Sequence, residues 1–250
     1  MARVSARQQR VELHTDLSGT GEWLLCDALL ADPARFGPWH KRLAEWLHHE
    51  YGQGPGRTAA GYVMTWYLRV PAYAAALLLH HERRVPSLRP ADLAFRLGGQ
   101  RPDPDGIALL GADFHCLPSD PGAALPEATV VPDERALAAV LRAGYAAHAT
   151  RFVAAYTTVT RLGRRTLWAA ATDALDTALW WAGLECGDEH GGVADAALVL
   201  GTRHPPFTSA STLRPAPEGG WRRSRESCCF SYLLPGRPEC GGCPRLRAKE

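Results

Sequence analysis

Four of the seven cysteines in this 250-residue chain fall between Cys228 and Cys243. They form an adjacent pair, Cys228-Cys229, then a ten-residue spacer and Cys240-Gly241-Gly242-Cys243. Thiols crowded in this way oxidise, repel one another as thiolates or share a metal centre, and only the last turns proximity into binding energy. Two centres take four thiolates: a structural zinc ion or an iron–sulfur cluster. The Cys240–Cys243 half suits either, because its glycines allow a tight turn that aims amides at sulfur. The adjacent pair discriminates. Zinc knuckles space each ligand pair by about two to four residues, and neighbours in an extended chain point their side chains apart. Cys228 and Cys229 therefore reach one centre only over a bent backbone, a demand that a binuclear cluster relaxes. Donor geometry favours an iron–sulfur cluster, with zinc and unmetallated thiols left open.

Other reactive residue types carry weaker signals. His80-His81-Glu82-Arg83-Arg84 puts positive groups where a helix ends, and stabilising the helix dipole is favoured there over a metal or catalytic role. Cys186, Asp188, Glu189 and His190 fall within five residues and invite a metal reading. They also sit where one helix ends and the next is capped, and that structural role is favoured. The glycines of Tyr51-Gly52-Gln53-Gly54-Pro55-Gly56 follow no strand and precede no GK[ST], so they read as a linker. There is no GxSxG, HExxH or paired-carboxylate motif. No GxGxxG lies between a strand and a helix, which leaves neither a nicotinamide nor a flavin nucleotide an evident home.

The elements that must position the cysteines are mostly helical. Residues 1–18 read as a polar arm with a short strand near Val11–Leu13. From Gly21 the spacing of Trp23, Leu24, Ala28 and Leu30 predicts a helix ended by Asp32-Pro33. Trp39, Leu43, Trp46 and Leu47 line a second. Arg57–Leu68 and Pro71–His81 predict two apolar helices, or one kinked at Pro71. Leu93–Leu97 and Ile107–Leu110 read as strands joined by a hairpin loop over Gly98–Gly106, and Ala112–Leu117 extends that sheet. Pro132-Asp133 starts a helix carrying Leu137, Val140, Leu141, Tyr145 and His148, and Thr150 is placed to cap another through Val159. Arg164–Leu184 is the clearest helix, with an apolar stripe of Leu167, Trp168, Ala171, Leu175, Ala178, Leu179 and Trp181. A last helix, Val193–Leu200, precedes the irregular stretch 201–227, read as an ordered lead-in packed partly on the helices. The expected class is a mainly α-helical α+β protein with a small antiparallel sheet. Residues 1–200 form the body and 201–250 the cysteine-bearing segment of one compact unit.

The formal net charge of +2 argues neither for nucleic acid nor for an anionic membrane. The longest apolar stretch, Tyr62–Leu79, is broken by Arg69 and Pro71, against a membrane span. No secretory signal is visible, and the odd cysteine count does not describe a disulfide scaffold, so a reduced, cytoplasmic protein is expected.

CC-x10-C-x2-C, carried here by Cys228, Cys229, Cys240 and Cys243 without departure, resembles the FhuF family of ferric-siderophore reductases. The apolar helical pair around Pro71, the hairpin before residue 112 and the Arg164–Leu184 helix with Trp168 are a general likeness to the family's body. The resemblance implies a [2Fe–2S] cluster on those four cysteines and one-electron reduction of a ferric siderophore, of hydroxamate type by analogy, to release Fe(II). A separate electron donor, such as a ferredoxin or flavoprotein, follows from the missing nucleotide site. Arg222, Arg223, Arg225, Arg237, Arg245 and Arg247 flank the cysteines against few acids, chiefly Glu226 and Glu239. Their expected role is docking or raising the potential, since positive neighbours favour the reduced cluster. Trp221, Phe230 and Tyr232 are placed to shield it or to contact the chelate, and core or shielding packing is the favoured role. Two other classes remain as alternatives: a zinc-stabilised binding protein, and an electron-transfer protein acting on a partner protein.

Overall fold

The computed structural model describes residues 11–18 and 21–247, apart from the side chain of Arg247. The remainder of the proposed N-terminal arm lies outside the described residues. The chain is a mainly helical α+β protein. Its order is β1 (Glu12–His14), β2 (Trp23–Leu25), α1 (Cys26–Ala31), α2 (Phe36–Tyr51), α3 (Gly56–Glu82), β3 (Arg84–Pro86), β4 (Leu93–Leu97) and β5 (Pro104–Leu109). Then follow β6 (Phe114–Cys116), β7 (Ala128–Val130), α4 (Glu134–Val159), α5 (Arg164–Leu184), α6 (Glu189–Leu200), β8 (Leu213–Pro215), β9 (Trp221–Arg223) and α7 (Pro244–Arg247).

α3 is the central post. Its apolar residues go nearly all the way round, so it is buried on most sides and packs against α2, α4 and α5. It runs unbroken through Pro71 as one 27-residue helix. The hydrogen bond that proline removes is outweighed by the burial of Val70, Ala72, Ala74, Ala75 and Leu77 around it. Tyr145 of α4 ties the post to its neighbours, its hydroxyl lying 3.2 Å from the Leu68 carbonyl and 3.0 Å from that of Ala171.

Several sequence expectations need correction. Trp23–Leu25 is a strand, and the helix begins only at Cys26, because this segment pairs antiparallel with Ala94–Arg96 of β4. Thr150 caps nothing: its hydroxyl donates back to the Ala146 carbonyl at 2.8 Å, and α4 continues to Val159. The predicted start of α4 is right, since the Asp133 side chain accepts from the Ala136 amide at 2.8 Å. The segment around Phe114 does not extend the β4–β5 sheet. That sheet has the order β1-β5-β4-β2, with β1 parallel to β5, whereas β6 joins a second sheet of order β3-β6-β7. The hairpin loop closes earlier than expected, as β5 starts at Pro104 and the Gly98 amide donates to the Asp103 carbonyl. The last long helix begins at Glu189, capped by Asp188, rather than at Val193.

Candidate metal centre

The segment 201–227 lies along α5, with Phe207 buried edge-on against Trp168 and a row of polar contacts beside it. The Thr208 amide donates to the Thr172 hydroxyl at 3.0 Å, and the Thr212 amide and hydroxyl both donate to Asp176 Oδ2 at 3.0 Å. After the β8–β9 hairpin the chain reaches Asp173, a buried carboxylate on the same helix. Asp173 accepts from Arg223 Nη1 at 2.8 Å, from the Glu226 amide at 2.9 Å, and from the Ser227 amide and hydroxyl at 2.8 and 2.6 Å. This knot fixes the chain one residue before the first clustered cysteine. Reading α5 by its apolar stripe overlooks Asp173. The available signal was Thr172-Asp173 and Asp176-Thr177 inside a helix otherwise made for burial, because buried acids demand partners.

From the other side the first turns of α3 hold the adjacent pair. The Thr58 hydroxyl donates to the Phe230 carbonyl at 3.0 Å, and Arg57 lies over the Phe230 ring, 4.5 Å from its centroid. A side chain at Gly61 would meet Phe230 Cδ2 at 2.7 Å and the Cys229 carbonyl oxygen at 3.0 Å, so this close approach needs glycine. The bent backbone required of Cys228-Cys229 is present. Phe230 is left-handed, with φ 60°, and a 3-10 turn over Ser231–Leu233 follows. The Phe230 amide points back to Cys228 Sγ at 3.4 Å. In the second half Gly242 has φ 67°, and a side chain there would strike the Arg223 carbonyl oxygen at 2.3 Å. Gly241 has open space around it, so only one of the two glycines is required. The Gly242 carbonyl accepts from the Arg225 amide at 2.8 Å, which ties the two halves together.

All four cysteines are free thiols, with Cys229 and Cys243 buried and Cys228 and Cys240 half-exposed. Cys229 Sγ and Cys240 Sγ stand 3.7 Å apart. Two thiolates on one tetrahedral ion with metal–sulfur bonds of about 2.3 Å lie about 3.7 Å apart, so this pair already has ligand spacing. The thiols are not alike electrostatically: one is favoured as thiolate and two are pushed up. Cys229 is held well below the ordinary thiol value by its hydrogen bond with Cys240, then by Arg225 and Ser231, against the cost of burial. The same contact pushes Cys240 up. Burial raises Cys228, opposed by the Phe230 amide and reinforced by Cys229 and Cys243. The donor set therefore fits a thiolate-ligated metal centre.

Among the described side chains of the arginines singled out from sequence, Arg225 touches a cysteine: its Nη1 lies 3.3 Å from Cys240 Sγ. Arg223 is committed to Asp173. Arg245 lies over the Tyr232 ring at 3.9 Å and 4.0 Å from Glu239, Arg237 lies over Tyr51 at 5.6 Å, and Arg222 is exposed on β9. Arg247's side chain lies outside the described residues. Phe230 packs into the core as expected, Tyr232 is partly buried, and Trp221 meets the His190 ring edge-on. Arg57 and Arg165 escape a reading confined to the C-terminal segment. With Thr166, Glu226, Cys228 and Pro244 they line an open pocket of about 310 Å³.

Residues 225–245, which contain all four clustered cysteines, match the family model of the FhuF 2Fe-2S C-terminal domain. The match supports FhuF-family membership and identifies the cofactor as a [2Fe–2S] cluster. The matched segment is thus similar to the iron–sulfur-binding end of that family. No curated protein matches the chain. Among the described residues no helix is long and apolar enough to cross a membrane.

Proposed function

We propose that Cys228, Cys229, Cys240 and Cys243 hold the [2Fe–2S] cluster, and that the protein reduces ferric siderophores, of hydroxamate type, by one electron. The observation that carries this reading is the matched segment with its ligand-spaced thiols, opening through half-exposed Cys228 onto the pocket lined by Arg57 and Arg165. When bound, the cluster supplies a one-electron couple near the surface. The chain's own residues do the rest. Arg225 sets a positive charge against the sulfurs, and Asp173 and Thr58 hold the two sides of the loop. Phe230, buried behind the adjacent pair, keeps water off the inner face. The pocket is smaller than a whole siderophore and would seat one face of the chelate, with the two arginines against its oxygen donors. The chelated Fe(III) takes up one electron and becomes Fe(II), which hard oxygen ligands hold less tightly, so it leaves. No proton donor or nucleophile is required. The electron comes from a separate donor, a ferredoxin or flavoprotein, in the cytoplasm. Residues 201–250 act as the cluster-binding segment on a body of residues 1–200.

Anaerobic purification should give two irons and two sulfides per chain, with a visible spectrum bleached by dithionite. One colourless zinc in the cysteine loop would instead support the zinc-stabilised binding protein. Stopped-flow mixing of the reduced protein with ferric hydroxamates should show oxidation faster than by a non-siderophore oxidant. Equal rates would leave an electron-transfer protein acting on a partner protein as the better reading.

A further inference from the structure

Folding joins two stretches whose roles looked purely structural in sequence. The last turn of α3 carries His80 and His81, and the turn between α5 and α6 carries Cys186. One ligand atom from each of the three lies within 4.8 Å of the other two. Behind them stands a buried carboxylate. Asp195 of α6 is 2% exposed, accepts from His80 Nδ1 at 2.8 Å through Oδ2, and is held by Arg83 Nη1 at 2.5 Å through Oδ1. With Nδ1 turned to Asp195, the opposite ring nitrogen, Nε2, points away from that carboxylate. It faces Cys186 Sγ at 3.5 Å and Asp188 Oδ2 at 3.9 Å. The His81 ring stands nearly perpendicular to it, with centroids 4.9 Å apart.

We propose that His80, His81 and Cys186 form a second metal site, for a single divalent transition ion of the zinc class, separate from the cysteine cluster. Around a tetrahedral ion with metal–nitrogen bonds of about 2.0 Å and a metal–sulfur bond of about 2.3 Å, nitrogen and sulfur ligands stand about 3.5 Å apart. His80 and Cys186 already have that separation, and His81, within 4.8 Å of both, needs to close by at most about 1.5 Å. Two imidazoles and a thiolate select a borderline ion over magnesium or calcium, which take oxygen. Asp188 is the nearest candidate for the fourth position: its Oδ1 caps the Gly191 amide at 3.0 Å, while Oδ2 is the oxygen facing His80. The carboxylate behind a ligating histidine is the recurring outer partner of such sites, fixing tautomer and ring orientation. Cys186 Sγ now lies 3.2 Å from the Gly183 carbonyl; on ligation the sulfur loses its proton to solvent and takes up the metal bond.

Its position separates the site from the iron–sulfur chemistry. Thr58 touches the cysteine loop, and His80 lies 22 residues further along the same unbroken helix. At 1.5 Å per residue that is about 33 Å. An ion there would clamp the end of α3 to the α5–α6 turn without contacting the cluster or its docking pocket.

The test uses the full chain with its cluster assembled. After incubation with a small excess of zinc and gel filtration, each chain should retain one zinc in addition to its cluster iron. The zinc X-ray absorption edge should fit one sulfur with nitrogen and oxygen neighbours. Cys186→Ser and His81→Ala should each lose that zinc while keeping iron and sulfide, whose retention reports an intact fold. Should Cys186→Ser also lose iron, His81→Ala decides. Absence of bound zinc, a four-sulfur shell, or zinc retained by both variants would overturn the proposal. None of these readouts depends on siderophore reduction, so that reading can fail while this one stands.

Discussion

Arg225 offers the most direct test of how the chain tunes its centre. It is held between Asp173 on one side and Cys229 and Cys240 on the other, with Nη1 3.3 Å from Cys240 Sγ. Burial works against its charge, and those three neighbours more than offset it. Reduction adds one negative charge to the cluster. Placing that charge about 6 Å from the guanidinium, at an effective dielectric near 20, gives about 2.8 kcal/mol, or ~120 mV for one electron. Asp173 is present in parent and variant alike, paired with Arg223, so the change at the cluster is that of the Arg225 guanidinium. Arg225→Gln keeps a hydrogen-bond donor but removes the charge, and should lower the reduction potential by about 60–120 mV once residual screening is allowed for. Arg225→Lys keeps the charge and should shift it by less than about half as much. Arg237→Gln, exposed and over Tyr51, should move it by under about 20 mV, as screened surface charges do. Anaerobic potentiometric titration followed in the visible spectrum measures all three. If Arg225→Gln stays within about 20 mV of the parent with iron content unchanged, charge proximity is not what sets the potential.

Three further outcomes follow from other contacts. Asp173→Ala leaves Arg223 and the Glu226 and Ser227 donors without their acceptor. It should cost about 3–5 kcal/mol in urea unfolding and lower the iron retained per chain; unchanged stability would show that the knot does not hold the loop. Gly61→Ala forces a methyl against Phe230 and Cys229, and should destabilise by about 1–3 kcal/mol and speed cluster loss in air. His148 is buried, with Nδ1 donating to the Leu88 carbonyl and Nε2 accepting from the Tyr67 hydroxyl, and burial lowers its pKa to about 4. The unfolded chain therefore binds this proton at higher pH than the folded one, and stability falls as pH drops from about 6.5 toward 4. About 2 kcal/mol should be lost at pH 5 relative to neutrality, and unfolding of His148→Gln should lack that component.

The cysteine loop was legible because its information is local. Residue type and spacing at Cys228, Cys229, Cys240 and Cys243 were enough to call for a metal centre and to require a bent backbone at the adjacent pair. Phe230, in its left-handed conformation, supplies that bend. Helix α5 was equally legible, its bounds at Arg164 and Leu184 following from a 3.6-residue apolar rhythm that burial reinforces. Failures came where distant partners override local preference. Trp23–Leu25 has helical spacing and becomes a strand only because β4 offers it an edge, and Thr150 looks like a cap until its hydroxyl turns back to Ala146.

For the site the division is the same. Composition near the cysteines marked six arginines alike, since a sequence shows charge without direction. Packing on α5 turned Arg223 to Asp173 and Arg225 to Cys240, and left Arg222 exposed. Arg57, Thr58 and Gly61 joined the site from about 170 residues away, a separation at which no periodicity carries a signal. His80-His81 and Cys186 were each read correctly as helix-end residues. Their meeting around one point required α3 and the α5–α6 turn to be brought together by the core. Residue chemistry was thus written in the chain, whereas which groups share a space was decided by burial of helices that carry little chemistry of their own.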